Sequence, residues 1–160
     1  AKGRKCYVKL FHGPLLVWKH LQKNGYPTIE GHAAIALLGA DRMVRIGTYG
    51  DGAAVPRYIW DSLISDAIGH TAYSHQSDLE GVEVDPSLYM ISADSEKEAR
   101  VYWDKGQRTF RVGNSVDDIV KGLEVLCPAS KEAGRRVTCD TCKLCSGSDI
   151  KAKSIFIPQH

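Results

Sequence analysis

Short apolar runs alternate with amphipathic stretches along the whole chain, the pattern expected of an α/β protein. Residues 14–24 (PLLVWKHLQKN) read as a helix, with Pro14 suited to its first turn and Gly25 as its stop. Residues 30–38, apolar and alanine-rich, make a second helix candidate. A strand is expected over 43–48 (MVRIGT), closed by the turn Tyr49-Gly50-Asp51-Gly52. A helix over 55–68 then puts Val55, Ile59, Leu63 and Ala67 on one face. Strands follow at 71–75 and 88–92. An acidic first turn at 94–98 suits the positive end of a helix that runs to Lys105 and stops at Gly106. Further strands are expected at 108–112, 123–126 and 154–158. Crossovers of this length require parallel pairing. The expectation is an α/β fold with a mostly parallel sheet or partial (βα) barrel, forming one domain over 1–160.

Composition narrows the partners. The chain has 160 residues, 43% of them hydrophobic, enough for one core. Its net charge of +2 implies neither nucleic acid nor an anionic membrane surface. No run approaches the roughly 18 apolar residues of a membrane span. The opening AKGRKC is basic with no apolar segment behind it, so no signal peptide is expected. The chain does not begin with Met, and a trimmed form is expected. Trp18, Trp60 and Trp103 occupy apolar helical positions and read as core.

The most specific signal lies near the C-terminus. Cys127, Cys139, Cys142 and Cys145 form a four-sulfur set, three of them at two-residue intervals, in a cysteine-rich metal-binding loop over 127–149. Such spacing lets one tight loop wrap a single centre. Five cysteines in all, three of them too close to pair usefully, argue against a disulfide framework and for reduced thiols in the cytoplasm. Two occupants compete. A [4Fe–4S] cluster suits CxxCxxC with a remote fourth cysteine, whereas zinc suits any four cysteines but usually takes them as two separated CxxC pairs. Cys6 is left over, as a buried thiol or the remnant of a second site.

In parallel α/β folds ligands sit beyond the C-terminal strand ends. The residues following the expected strands are Tyr49 and Asp51, then His75 and Gln76, Asp94, Asn114, Cys127 and Ser130, and finally Gln159 and His160. A centre at Cys127 is therefore expected on the same mouth as these polar groups. Blander readings stand beside this one: Asp51 as a turn former, Asp94 as a helix N-cap, His75 as a hydrogen-bonded core residue. No P-loop, GxGxxG or GxSxG pattern is present.

The segments CYV, RIGTYGDGAAVP, TAYSHQ, SADSEKEAR, RTFRV, CPAS and SIFIP, with the CxxCxxC run, together resemble an uncharacterised family of bacteriophages and mobile elements. That resemblance spans nearly the whole chain and implies further cysteines ahead of the CYV segment. More distantly, strand-end chemistry beside a cysteine cluster is similar to the partial barrels of radical S-adenosylmethionine proteins. Their CxxxCxxC loop, which leaves one iron open, is not present. Four thiolates on the irons favour electron transfer, sensing or a structural role.

The expected function is a phage-type metalloprotein in the host cytoplasm. Its cluster would serve redox or radical-like chemistry on a small-molecule ligand, with Asp51, His75 and Asp94 as candidate catalytic or binding groups. Tyr49 and Gln76 would orient that ligand. The alternative is a zinc-stapled adaptor for a host protein or nucleic acid, using Lys131, Arg135, Arg136, Lys143, Lys151 and Lys153. In either case the metal also offsets the entropy of ordering a polar loop.

Overall fold

The computed structural model describes residues 9, 11–77, 79–82 and 84–159; Cys6 and His160 lie outside the described residues. Two helices come first, α1 (Gly13–Gln22) and α2 (His32–Gly39), followed by β1 (Met43–Ile46) and α3 (Arg57–Ile64). The chain continues through β2 (Gly69–Ser74), β3 (Met90–Ala93), α4 (Glu96–Trp103) and β4 (Thr109–Gly113). It ends with β5 (Glu124–Leu126), the single turn α5 (Cys139–Cys142) and β6 (Ser154–Pro158). The six strands form one parallel sheet in the order β1-β2-β3-β4-β6-β5. The α/β class and the parallel sheet are as expected. Winding is sequential through β4; β6 then inserts between β4 and β5.

Alternating strand residues face opposite sides of a sheet, and the two sides here are covered differently. On one, Trp60 and Ile64 of α3 pack over a core of Ile46, Ala72, Leu88 and Tyr89. The same side carries α4, whose Trp103 indole N–H donates to Thr109 Oγ1 (3.1 Å) and Ser154 Oγ (2.8 Å). On the other side Tyr73, Met90, Phe110, Val125 and Ile155 pack against Cys127, Leu144 and Cys145. The segment between β5 and β6 takes the place of a covering helix there.

Helix α2 lies close on α3: a Cβ at Gly39 would stand 1.8 Å from the Leu63 carbonyl oxygen, so only glycine permits the approach. Helix α1 buries no residue. Trp18, read from sequence as core, is 57% exposed: among the described residues no other helix or strand packs closely on α1 to cover it. Trp60 and Trp103 do reach the interior.

The edge strand β5 has only three residues. It is held by a reach across the sheet: Arg111 on β4 passes over the Phe156 ring on β6, 4.7 Å from its centroid, to Glu124 on β5. The contact is bidentate, Nε to Oε1 at 2.8 Å and Nη2 to Oε2 at 2.6 Å, with side chains 6% and 0% exposed. Removing one partner of such a pair strands a buried charge, while replacing both with apolar groups relieves it. Glu124→Ala is therefore expected to cost about 3–5 kcal/mol. Arg111→Met combined with Glu124→Leu should recover most of that loss, as read by urea unfolding of the three proteins.

Candidate metal centre

Three local devices position the four cysteines. Cys127 extends β5, its N–H donating to Phe156 O at 2.8 Å, and the turn that follows sends Ser130 N back to Cys127 O at 2.9 Å. The same turn aims the amides of Ala129 and Ser130 at the Cys127 sulfur. Cys139 and Cys142 bracket α5, which opens on a capping box between Thr138 and Thr141 and closes at Lys143, whose φ of 53° is left-handed. The Lys143 ammonium donates to Ile68 O at 3.0 Å, which pins that bend to the entry of β2.

Cys145 is placed by a gap in the sheet. Strand β3 begins at Met90, opposite Tyr73, so β2 residues before Tyr73 have no strand partner on that side. Chain 145–148 fills the space. Ala72 N donates to Cys145 O (3.3 Å), Ser146 Oγ to His70 O (2.8 Å), Ser148 N to Pro86 O (2.6 Å) and Arg108 N to Ser148 O (2.9 Å). Gly147 sits at φ +117° where a Cβ would be 2.6 Å from Ser87 O, so this passage requires glycine. The Arg108 guanidinium binds Leu144 O, Gly147 O and Lys153 O from inside the bend.

These devices bring Cys127, Cys139, Cys142 and Cys145 to the wall of one hollow, of about 20 Å³, shared with Thr71, Tyr73, Pro128, Ala129, Lys143, Leu144 and Ile155. That is room for roughly one water-sized body. All four are free thiols; Cys139 is exposed and Cys145 buried. The sulfurs do not form a closed shell: among the described residues, no group of three or more His, Cys, Asp or Glu is disposed to hold a metal ion. The donor set fits a thiolate-loving ion. The closure does not, since Cys139 stands at the exposed lip.

Burial governs the electrostatics. It pushes the Cys145 thiol up to about 11, with neighbouring cysteines adding to it and the Tyr73 hydroxyl and Arg108 opposing it. Burial also raises Cys127, against the pull of the Ala129 amide. Tyr73 is raised by burial first and by Cys145 next. At neutral pH these thiols are protonated, so an incoming metal ion must displace protons.

The polar residues after the strands lie elsewhere. None of Tyr49, Asp51, His75, Gln76 or Asp94 lines the sulfur hollow. Asp51 is engaged in local structure: Oδ1 accepts from Ala53 N (3.0 Å), while Oδ2 accepts from Ser74 Oγ (3.0 Å) and His75 N (2.8 Å). It thus ties the turn after β1 to the end of β2. Tyr49 is exposed and lies against Gly13 of α1. Gln76 N donates to Ser74 Oγ. His75 and Asp94 do meet, Nε2 to Oδ1 at 3.5 Å. The N-cap of α4 is Ser95, not Asp94; Ser95 accepts from Glu98 N, while Asp94 N donates to Glu98 Oε2. A separate polar depression of about 440 Å³ runs along the ends of β3, β4 and β6, lined by Asp94, Arg111, Asn114, Asp118 and Gln159 among others. Ser130 is buried beside the cysteines, its hydroxyl without a partner among the described residues.

Sequence reasoning passed over Arg108, Arg111 and Tyr73. The available signal was an arginine at each end of RTFR in a strand otherwise read as buried, since a charge there demands a partner. Compared with known proteins, the chain matches no family model, no curated protein and no solved structure.

The raised Cys145 predicts a pH window. Its folded value of about 11 exceeds its ordinary 9.0. The metal-free protein therefore keeps this contribution in full below pH 9 and loses it as pH rises through 11. About 2–3 kcal/mol should disappear across that range. Urea unfolding of wild type and Cys145→Ser at each pH isolates the slope, which should be shallower in the variant.

Proposed function

We propose that this chain is a metalloprotein in which Cys127, Cys139, Cys142 and Cys145 hold one [4Fe–4S] cluster serving electron transfer or redox sensing. The observation that carries the reading is the convergence of four free thiols on one hollow of the sheet face. They come from a strand end, a helical turn and the bend that directly follows that turn. Three sulfurs from one loop and a fourth from a distant position is a recurrent cluster arrangement. The amides of Ala129 and Ser130 aimed at Cys127, and the Tyr73 hydroxyl on Cys145, are the donors that thiolate ligands need. Binding would draw exposed Cys139 over the hollow and release the thiol protons to solvent. Held by Cys127, Cys139, Cys142 and Cys145 together, a cluster would supply electron transfer and leave no iron open to substrate. The depression beside Asp94 and His75 would then be the place for a polar small molecule.

One observation favours zinc as a second reading. The hollow is small, about 20 Å³, and a single tetrahedral ion needs less room than a cuboidal cluster. In that case the exposed Lys131, Arg135, Arg136, Lys151 and Lys153 around the loop suit an adaptor surface for a host protein or nucleic acid.

Purification without oxygen, followed by absorption spectroscopy and metal analysis, separates the two. The cluster reading expects brown protein with iron and acid-labile sulfide in equal amounts, and loss of both in Cys142→Ser. A colourless protein carrying stoichiometric zinc transfers the site to the second reading. Protein that takes up neither metal, even after reconstitution, removes both.

A further inference from the structure

Arg108 is a buried cation that, among the described residues, has no carboxylate paired with it. It is 4% exposed, and among the described residues its side-chain hydrogen bonds go to neutral carbonyls: Leu144 O at 2.9 Å, Gly147 O at 3.1 Å, and Lys153 O at 3.0 and 2.8 Å. Among the described residues no Asp or Glu forms an ion pair with it. Arg111, three residues on and equally buried, is by contrast bidentate on Glu124. Charges taken out of water are ordinarily paired, because carbonyl dipoles offset only part of what hydration supplied. The neighbouring group able to become negative is Cys145, whose N–H belongs to the same peptide unit as the Leu144 carbonyl that Arg108 holds. Lys143 also lines the hollow, but it is exposed and its ammonium donates to Ile68 O, whereas Arg108 is buried behind the bend.

We propose that Arg108 is the counter-charge of the sulfur centre, placed to offset the negative charge that four thiolates bring when they take up a metal; this rests on the metal-centre reading above. In the binding step four S–H bonds break, their protons pass to solvent and four sulfur–metal bonds form, with no electron transferred. Four thiolates around a divalent ion leave a net negative centre in a low-dielectric pocket, where a fixed cation has most effect. An iron–sulfur core ligated by four thiolates is anionic in the same way. Arg108 is thus a positioning residue with two roles. Its donors shape the 144–147 bend, and its charge makes deprotonated sulfur tolerable there.

The two roles separate by substitution. R108K keeps the charge with fewer donors, and R108Q keeps amide donors without the charge. Cobalt(II) serves as the probe, titrated without oxygen into the reduced full chain, with thiolate-to-cobalt charge-transfer absorption as readout. Wild type and R108K are expected to bind with similar affinity, and R108Q about 10- to 100-fold more weakly. R108Q binding as tightly as wild type, or R108K losing as much as R108Q, overturns the counter-charge. Wild type that takes up no cobalt overturns the metal-centre reading and the counter-charge with it, whereas failure in the variants' pattern alone leaves that reading intact. If circular dichroism shows R108Q unfolded, R108K decides: wild-type affinity supports the proposal, and a loss of about tenfold or more ends it.

Discussion

The gathering of the four cysteines depends on one guanidinium. Arg108 leaves the start of β4 and grips carbonyls at 144, 147 and 153, so the crossover between β5 and β6 turns back onto the sheet instead of looping into solvent. Without such an anchor, this segment has little reason to lie down. It is polar and rich in Gly, Ser and Thr, and ordering each residue costs about 1–2 kcal/mol of backbone entropy. Apolar burial offsets little of that, since Leu144 and Cys145 are its main contributions to the core beneath.

A second guanidinium does the same for the other end of the crossover. Arg111 ties the short edge strand β5 across Phe156 to β4, and β5 ends where Cys127 begins. The two arginines stand three residues apart, Arg108 just before β4 and Arg111 within it, and they differ in one respect. Arg111 has its carboxylate and is electrostatically complete. Among the described residues Arg108 binds carbonyls, and it stands behind the bend that carries Cys145. The first is therefore read as architecture, and the second as part of a site that becomes complete when sulfur carries charge.

Chemistry in this fold is divided between two places. The sulfur hollow lies on the sheet face, floored by Thr71, Tyr73 and Ile155, where burial keeps thiols protonated. The strand-end depression lies along β3, β4 and β6 and is open and polar. Their linings share no residue, so an electron or ligand passing between them would cross the sheet's own side chains. Asp51, which from its turn looked able to face the mouth, spends one oxygen on the Ala53 amide and the other on Ser74 and the His75 amide at the end of β2. Of the expected constellation, His75 meets Asp51 through its amide and Asp94 through its ring.

Local patterns were enough to reveal the alternation of strands and helices, the parallel pairing forced by long crossovers, and the four cysteines as a set. Each of these follows from side-chain periodicity or spacing within one segment. Helix α1 has a clear helical pattern too, but whether Trp18 is covered depends on neighbours that no local pattern encodes. Nor could spacing show that β6 inserts between β4 and β5, that β3 starts late enough to admit residues 145–148 beside β2, or that the cysteines meet on the sheet's face and not its mouth. Those outcomes rest on two buried guanidinium groups finding partners far away in the chain. Periodicity registers that such a charge is buried, but only the folded chain decides what it is buried against.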